Sequence, residues 1–76
     1  MDTWLDEAIA RLGSDAGALA LTDAEVQTLL SLARVAAHSS GERINAPLVC
    51  YLVGLEVARS GRSLEDVAEK AAGEPL

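Results

Sequence analysis

The stretch from Leu48 to Val57 most narrows what this chain can become. Leu48, Val49, Tyr51, Leu52, Val53, Leu55 and Val57 point almost all round the axis of a helix. A helix that is apolar on every side is one that other helices surround. The chain has 76 residues, room for one small domain over 1–76 and no second. A domain of this size buries only about 60% of the surface its unfolded chain exposes, so its margin of stability is thin. The expected fold is therefore all-α: a compact bundle of four helices with a central apolar third helix.

The flanking segments supply the other three. Trp4, Leu5, Ala8, Ile9 and Leu12 recur at helical spacing, which predicts a first helix from about Thr3 to Leu12, capped by Asp2 or Thr3 and stopped at Gly13. Glu7 and Arg11 stand one turn apart in the favourable order for a surface ion pair. A loop over Ser14–Leu21 follows, pinned by Leu19 and Leu21. Thr22-Asp23-Ala24-Glu25 reads as a capping box, with Leu21 and Val26 as its hydrophobic staple. The second helix then runs to about Ser39. Its apolar face is Val26, Leu29, Leu30, Leu32, Ala33, Ala36 and Ala37, and its polar stripe is Gln27, Ser31, Arg34 and His38. The third helix starts near Asn45, an N-cap, with Pro47 in its first turn where a missing N–H does no harm. It continues to about Arg59 and ends at Gly61. Ser63-Leu64-Glu65-Asp66 is a looser capping box for a fourth helix, Leu64 to Ala72, packing through Leu64, Val67, Ala68 and Ala71 and ending at Gly73.

Within the third helix, Ala46, Cys50, Gly54 and Ala58 fall at steps of four and form a ridge of small residues. Glycine inside a helix costs roughly 1 kcal/mol relative to alanine. Close approach of the second helix, with Ala33, Ala36 and Ala37 facing the ridge, would offset that. On this expectation Gly54→Leu overpacks the contact and costs roughly 1–3 kcal/mol.

Several function classes fall away on composition. The net charge is −6, which repels nucleic acid phosphates and anionic membrane surfaces alike. The most apolar run, Ala46 to Leu55, is far shorter than the roughly 20 residues of a membrane span. The start, Met1-Asp2-Thr3-Trp4-Leu5-Asp6-Glu7, is acidic where a secretory signal is basic. A cytoplasmic protein is expected. A single cysteine allows no internal disulfide and no cysteine zinc site.

No catalytic set is legible. There is one histidine, and no HExxH, CxxC, GxSxG, phosphate-binding glycine loop or dinucleotide fingerprint. No enzyme activity, metal or cofactor is expected. Cys50, in mid-helix, reads as an ordinary buried thiol. The carboxylates Asp23, Glu25, Glu65, Asp66 and Glu69 lie near helix starts, where they complement the helix dipole. One polar cluster stands out: His38, Arg43 and Asn45. If the second and third helices pack antiparallel, all three converge on the start of the third, beside amides that have no partner. That is the composition of an anion site for a phosphate or carboxylate group. The same residues also make plain capping sense, with histidine and arginine at helix-end carbonyls and asparagine as N-cap.

Three segments also carry a family likeness. They are Leu29-Leu30-Ser31-Leu32-Ala33-Arg34-Val35-Ala36-Ala37-His38, then Ser40-Gly41-Glu42-Arg43-Ile44-Asn45-Ala46-Pro47-Leu48, then Tyr51-Leu52-Val53-Gly54. They resemble a small bacterial all-helical domain family of unknown function. In that family the domain occurs alone or fused C-terminal to nucleotidyltransferases of the molybdenum cofactor guanylyltransferase type. The resemblance implies an accessory or partner-binding role in making molybdopterin guanine dinucleotide. It does not imply nucleotidyl transfer, because the glycine-rich loop and acidic metal ligands of that enzyme have no counterpart here. The expected partners are such a nucleotidyltransferase or a second copy of the chain in a homodimer. The alternative function is a small module that binds an anion or phosphorylated ligand at His38, Arg43 and Asn45.

Overall fold

Helices α1 (Thr3–Arg11), α2 (Asp23–Ser40), α3 (Asn45–Ser60) and α4 (Leu64–Ala72) make up the regular structure. The structure is a computed structural model and describes residues 3–13 and 19–76. Among them the fold is all-helical, with four helices and no strand. Asp2, one of the two expected caps of α1, and most of the loop expected over 14–21 lie outside the described residues. Of the two leucines expected to pin that loop, Leu21 is half-buried and Leu19 is exposed.

The start of α2 forms as its sequence dictates. The Thr22 N–H donates to Glu25 Oε1 at 2.8 Å, and the Glu25 N–H donates to Thr22 Oγ1 at 3.1 Å. Each residue thus satisfies an amide that the first helical turn leaves without a partner. Removing the threonine oxygen in Thr22→Ala is expected to lower stability by about 1 kcal/mol, read as a drop in the thermal midpoint. At α4 only the serine half of the box is made: the Asp66 N–H donates to Ser63 Oγ at 3.1 Å. Aspartate is one methylene shorter than the glutamate that closes such a box. Both α3 and α4 stop at a left-handed glycine. The Gly61 N–H donates to the Val57 carbonyl at 2.9 Å and the Gly73 N–H to the Glu69 carbonyl at 3.0 Å.

The core lies where α2, α3 and α4 meet. Leu32 of α2, Val53 of α3 and Val67 and Ala68 of α4 are buried, with Val49, Cys50, Val57, Leu64 and Ala72 packed round them. Leu32 is the largest fully buried side chain, at 1% exposure. The α1 backbone comes within 8 Å, Cα to Cα, of none of these three helices. It buries no residue fully, and Arg11 sits over the Trp4 ring at 5.7 Å while facing Glu7 at 3.9 Å.

Two expectations about α3 need correction. Its apolar residues do not all go inside: Val49, Cys50, Val53 and Val57 turn to the core, whereas Leu48, Tyr51, Leu52 and Leu55 are exposed. Among the described helices only α2 and α4 pack on α3, and both pack on its inner side. Leu30 of α2, assigned to the apolar face, is exposed as well. The ridge of small residues is a helix contact only in its first half, where Cys50 faces α2. Gly54 is exposed, and a Cβ placed there meets nothing within 4 Å. The steps of four follow the helix surface, but only Ala46 and Cys50 reach its half-buried side. With no clash to relieve, Gly54→Ala is expected to stabilise the chain by roughly 0.5–1 kcal/mol. A raised thermal midpoint is the check, in place of the overpacking loss expected for a packed glycine.

Candidate functional site

The junction of α2 and α3 holds the three polar residues singled out in the sequence. Ser40 Oγ donates to the Ala36 carbonyl at 2.6 Å and accepts the Glu42 N–H at 3.1 Å, closing the end of α2 at Gly41. The chain then turns tightly. The Asn45 N–H donates to the Glu42 carbonyl and the Ala46 N–H to the Arg43 carbonyl, both at 3.1 Å. Ile44, not Asn45, occupies the cap position, in a helical conformation and with no side-chain bond. Asn45 is thus the first residue of α3 rather than its cap, because the turn before it already bonds as helix does.

This turn removes what an anion would hold. The amides of Asn45 and Ala46 are spent on carbonyls, and Pro47 has none. His38 and Arg43 are exposed, and neither pairs with a carboxylate among the described residues. Asn45 is half-buried and, with Ser39 and Ser40, forms the polar edge of a hollow of about 550 Å³ between α2, α3 and α4. That hollow is otherwise apolar, lined by Leu32, Val35, Leu48, Leu52 and others. A second hollow of about 280 Å³ adjoins it, sharing Val49, Leu52 and Ala71, with Glu56, Arg62 and Lys70 at its edge.

Cys50 faces α2, its Sγ 4.0 Å from the Leu29 carbonyl oxygen. Burial pushes its thiol above the ordinary thiol range, the opposite of what activates a cysteine nucleophile. Among the described residues no group of histidine, cysteine and carboxylate side chains is placed to hold a metal ion. No described helix is long and apolar enough to cross a membrane.

The most extensive unpartnered feature is the outer face of α3. Ile44, Leu48, Tyr51, Leu52 and Leu55 are each between 48% and 68% exposed, with Leu48 and Leu52 on the side where the face meets the mouth of the hollow. On a helical wheel these residues fall within an arc of about 100°. Ile44, Leu48, Tyr51, Leu55 and Ala58 follow one another at steps of four, three, four and three, the spacing of a helix that seats against another helix. Pro47 and Gly54 flank this seam on one side, Leu52 and Arg59 on the other. The seam carries no carboxylate. Glu56 lies just beyond Leu52, at the edge of the seam, where Arg59 reaches back to it through two bonds of 2.8 and 3.0 Å. Sequence reasoning saw these apolar residues but assigned them to the interior. The four-three spacing marks them as one stripe that another helix can cover, without saying whether the covering helix belongs to this chain.

No curated protein and no solved structure matches the chain. A family profile does match, over residues 1–74, and its description is a domain of unknown function, DUF6457. The three segments that carry the likeness, from Leu29 to Gly54, all lie within that span, and so do the junction and the α3 seam. The chain belongs to the DUF6457 family.

Proposed function

We propose that this chain is a non-catalytic interaction module, and that it serves molybdenum cofactor maturation as the accessory of a guanylyltransferase-type nucleotidyltransferase. The observation that carries the first half is the apolar face of α3. A chain of this size that leaves Leu48, Tyr51, Leu52 and Leu55 open along one helix has the surface of a protein that works in contact with another. The second half is supported by the resemblance, on the segments from Leu29 to Gly54, to the domain found fused to such enzymes. In that setting the module contributes adhesion and the enzyme contributes the chemistry. The anion-binding alternative draws no comparable support, because the junction amides it needs are already bonded.

The experiment mixes the purified chain with a molybdopterin guanylyltransferase from the same cells and follows complex formation by calorimetry. Binding in the micromolar range, with a change in the enzyme's rate of guanylyl transfer, is the expected result. No binding at 100-fold higher concentration removes the enzyme from the reading.

A further inference from the structure

We propose that the seam of α3 is covered by the α3 of a second copy of this chain, so that the module is a homodimer built on a helix–helix contact. The proposal deepens the reading of the chain as an interaction module and rests on it. It is independent of which enzyme the module serves.

Spacing is the first argument. Ile44, Leu48, Tyr51, Leu55 and Ala58 occupy alternate four and three steps along the whole length of α3, so the shape of the seam calls for a straight helix lying nearly along it. A second α3 offers the same seam, and a two-fold axis lets each copy bury the same residues.

Area is the second. An aromatic such as Tyr51 offers roughly 150–250 Å² when fully open, and the smaller leucine and isoleucine lie towards the lower end of that range. At their observed exposures Ile44, Leu48, Tyr51, Leu52 and Leu55 present on the order of 500 Å². Pro47, Gly54 and Ala58 beside them bring the patch towards the roughly 800 Å² per partner of a standard stable interface. The whole surface is 5452 Å², so the patch is about the tenth that such interfaces occupy on a small protein.

Charge is the third. The chain carries a net −6, and two copies repel through most of their surfaces. Along the seam itself the side chains are apolar. Its flanking charges, Arg59 and Glu56, lie together at one edge and offset each other.

The test is sedimentation equilibrium of the intact chain, with its thermal midpoint followed over a range of concentrations. A particle of twice 7.9 kDa and a midpoint that rises with concentration are expected. Added salt should strengthen the association by screening the like charge. The double variant Leu48→Asp/Leu55→Asp should weaken association at least 100-fold while keeping its helical circular dichroism. Leu30→Asp, an equal change at an exposed leucine of α2 off the seam, should remain dimeric. Several results would overturn the proposal: a monomer at all concentrations, a concentration-independent midpoint, weakening by salt, or a dimer that survives the double variant. A monomer that still binds the nucleotidyltransferase removes the homodimer and leaves the module's function standing. A dimer that binds no such enzyme does the reverse.

Discussion

Leu32→Ala should remove a large share of the stability of this chain. Leu32 is the side chain on which α3 and α4 both close, and it is 1% exposed. Truncating a fully buried leucine costs about 2–5 kcal/mol, from lost transfer energy and the cavity left behind. A chain of 76 residues at the usual stability per residue holds about 4–11 kcal/mol in all. Neighbours Val53 of α3 and Val67 and Ala68 of α4 are small and sit on other helices than Leu32, so they can close the gap only by shifting whole helices. Urea unfolding followed by circular dichroism is the measurement. The midpoint should fall by about a fifth to a half or more, and a change within error would mean that Leu32 is not the centre of the core.

Ala68→Leu should do comparable damage by the opposite route. Ala68 is fully buried at the crossing of α4 with the rest of the core. Three further carbons at that point push α4 away from α2 and α3, and overpacking of this kind costs about 1–3 kcal/mol or more. The contrast with Gly54 sharpens the test, since a side chain at Gly54 meets nothing within 4 Å. Thermal unfolding of Ala68→Leu beside Gly54→Leu should show a large loss in the first and, at low protein concentration, a small change in the second. Equal losses would mean that the outer side of α3 is as tightly packed as its inner side.

Helix positions were legible in the sequence because local chemistry sets them. Thr22 and Glu25 make their reciprocal bonds whatever the rest of the chain does. The stops at Gly41, Gly61 and Gly73 need only a residue that accepts positive φ. The α4 core face, Val67 and Ala68, also follows directly from its periodicity. What local chemistry does not set is how many neighbours a helix has. The composition of α3 is that of a surrounded helix, yet among the described helices only α2 and α4 pack on it. Its remaining leucines point outward, and the same pattern describes a buried helix and a helix with a missing partner. The junction failed for a different reason. Asn45 is a good cap by residue type, but the turn through Glu42 and Arg43 starts the helical bonding earlier, and that depends on backbone angles that residue preferences do not determine.

The separation of α1 from the three-helix core has a consequence for how the chain opens. Cooperative unfolding joins elements that bury side chains in one another, and α1 shares no close backbone approach with α2, α3 or α4. Its amide protons can therefore exchange with solvent through local opening, at little free energy. Those near Val53 must wait for the whole core to come apart. Opening of α1 is thus expected to precede loss of the core. A protease that cuts within α1 should leave α2, α3 and α4 as a folded remnant.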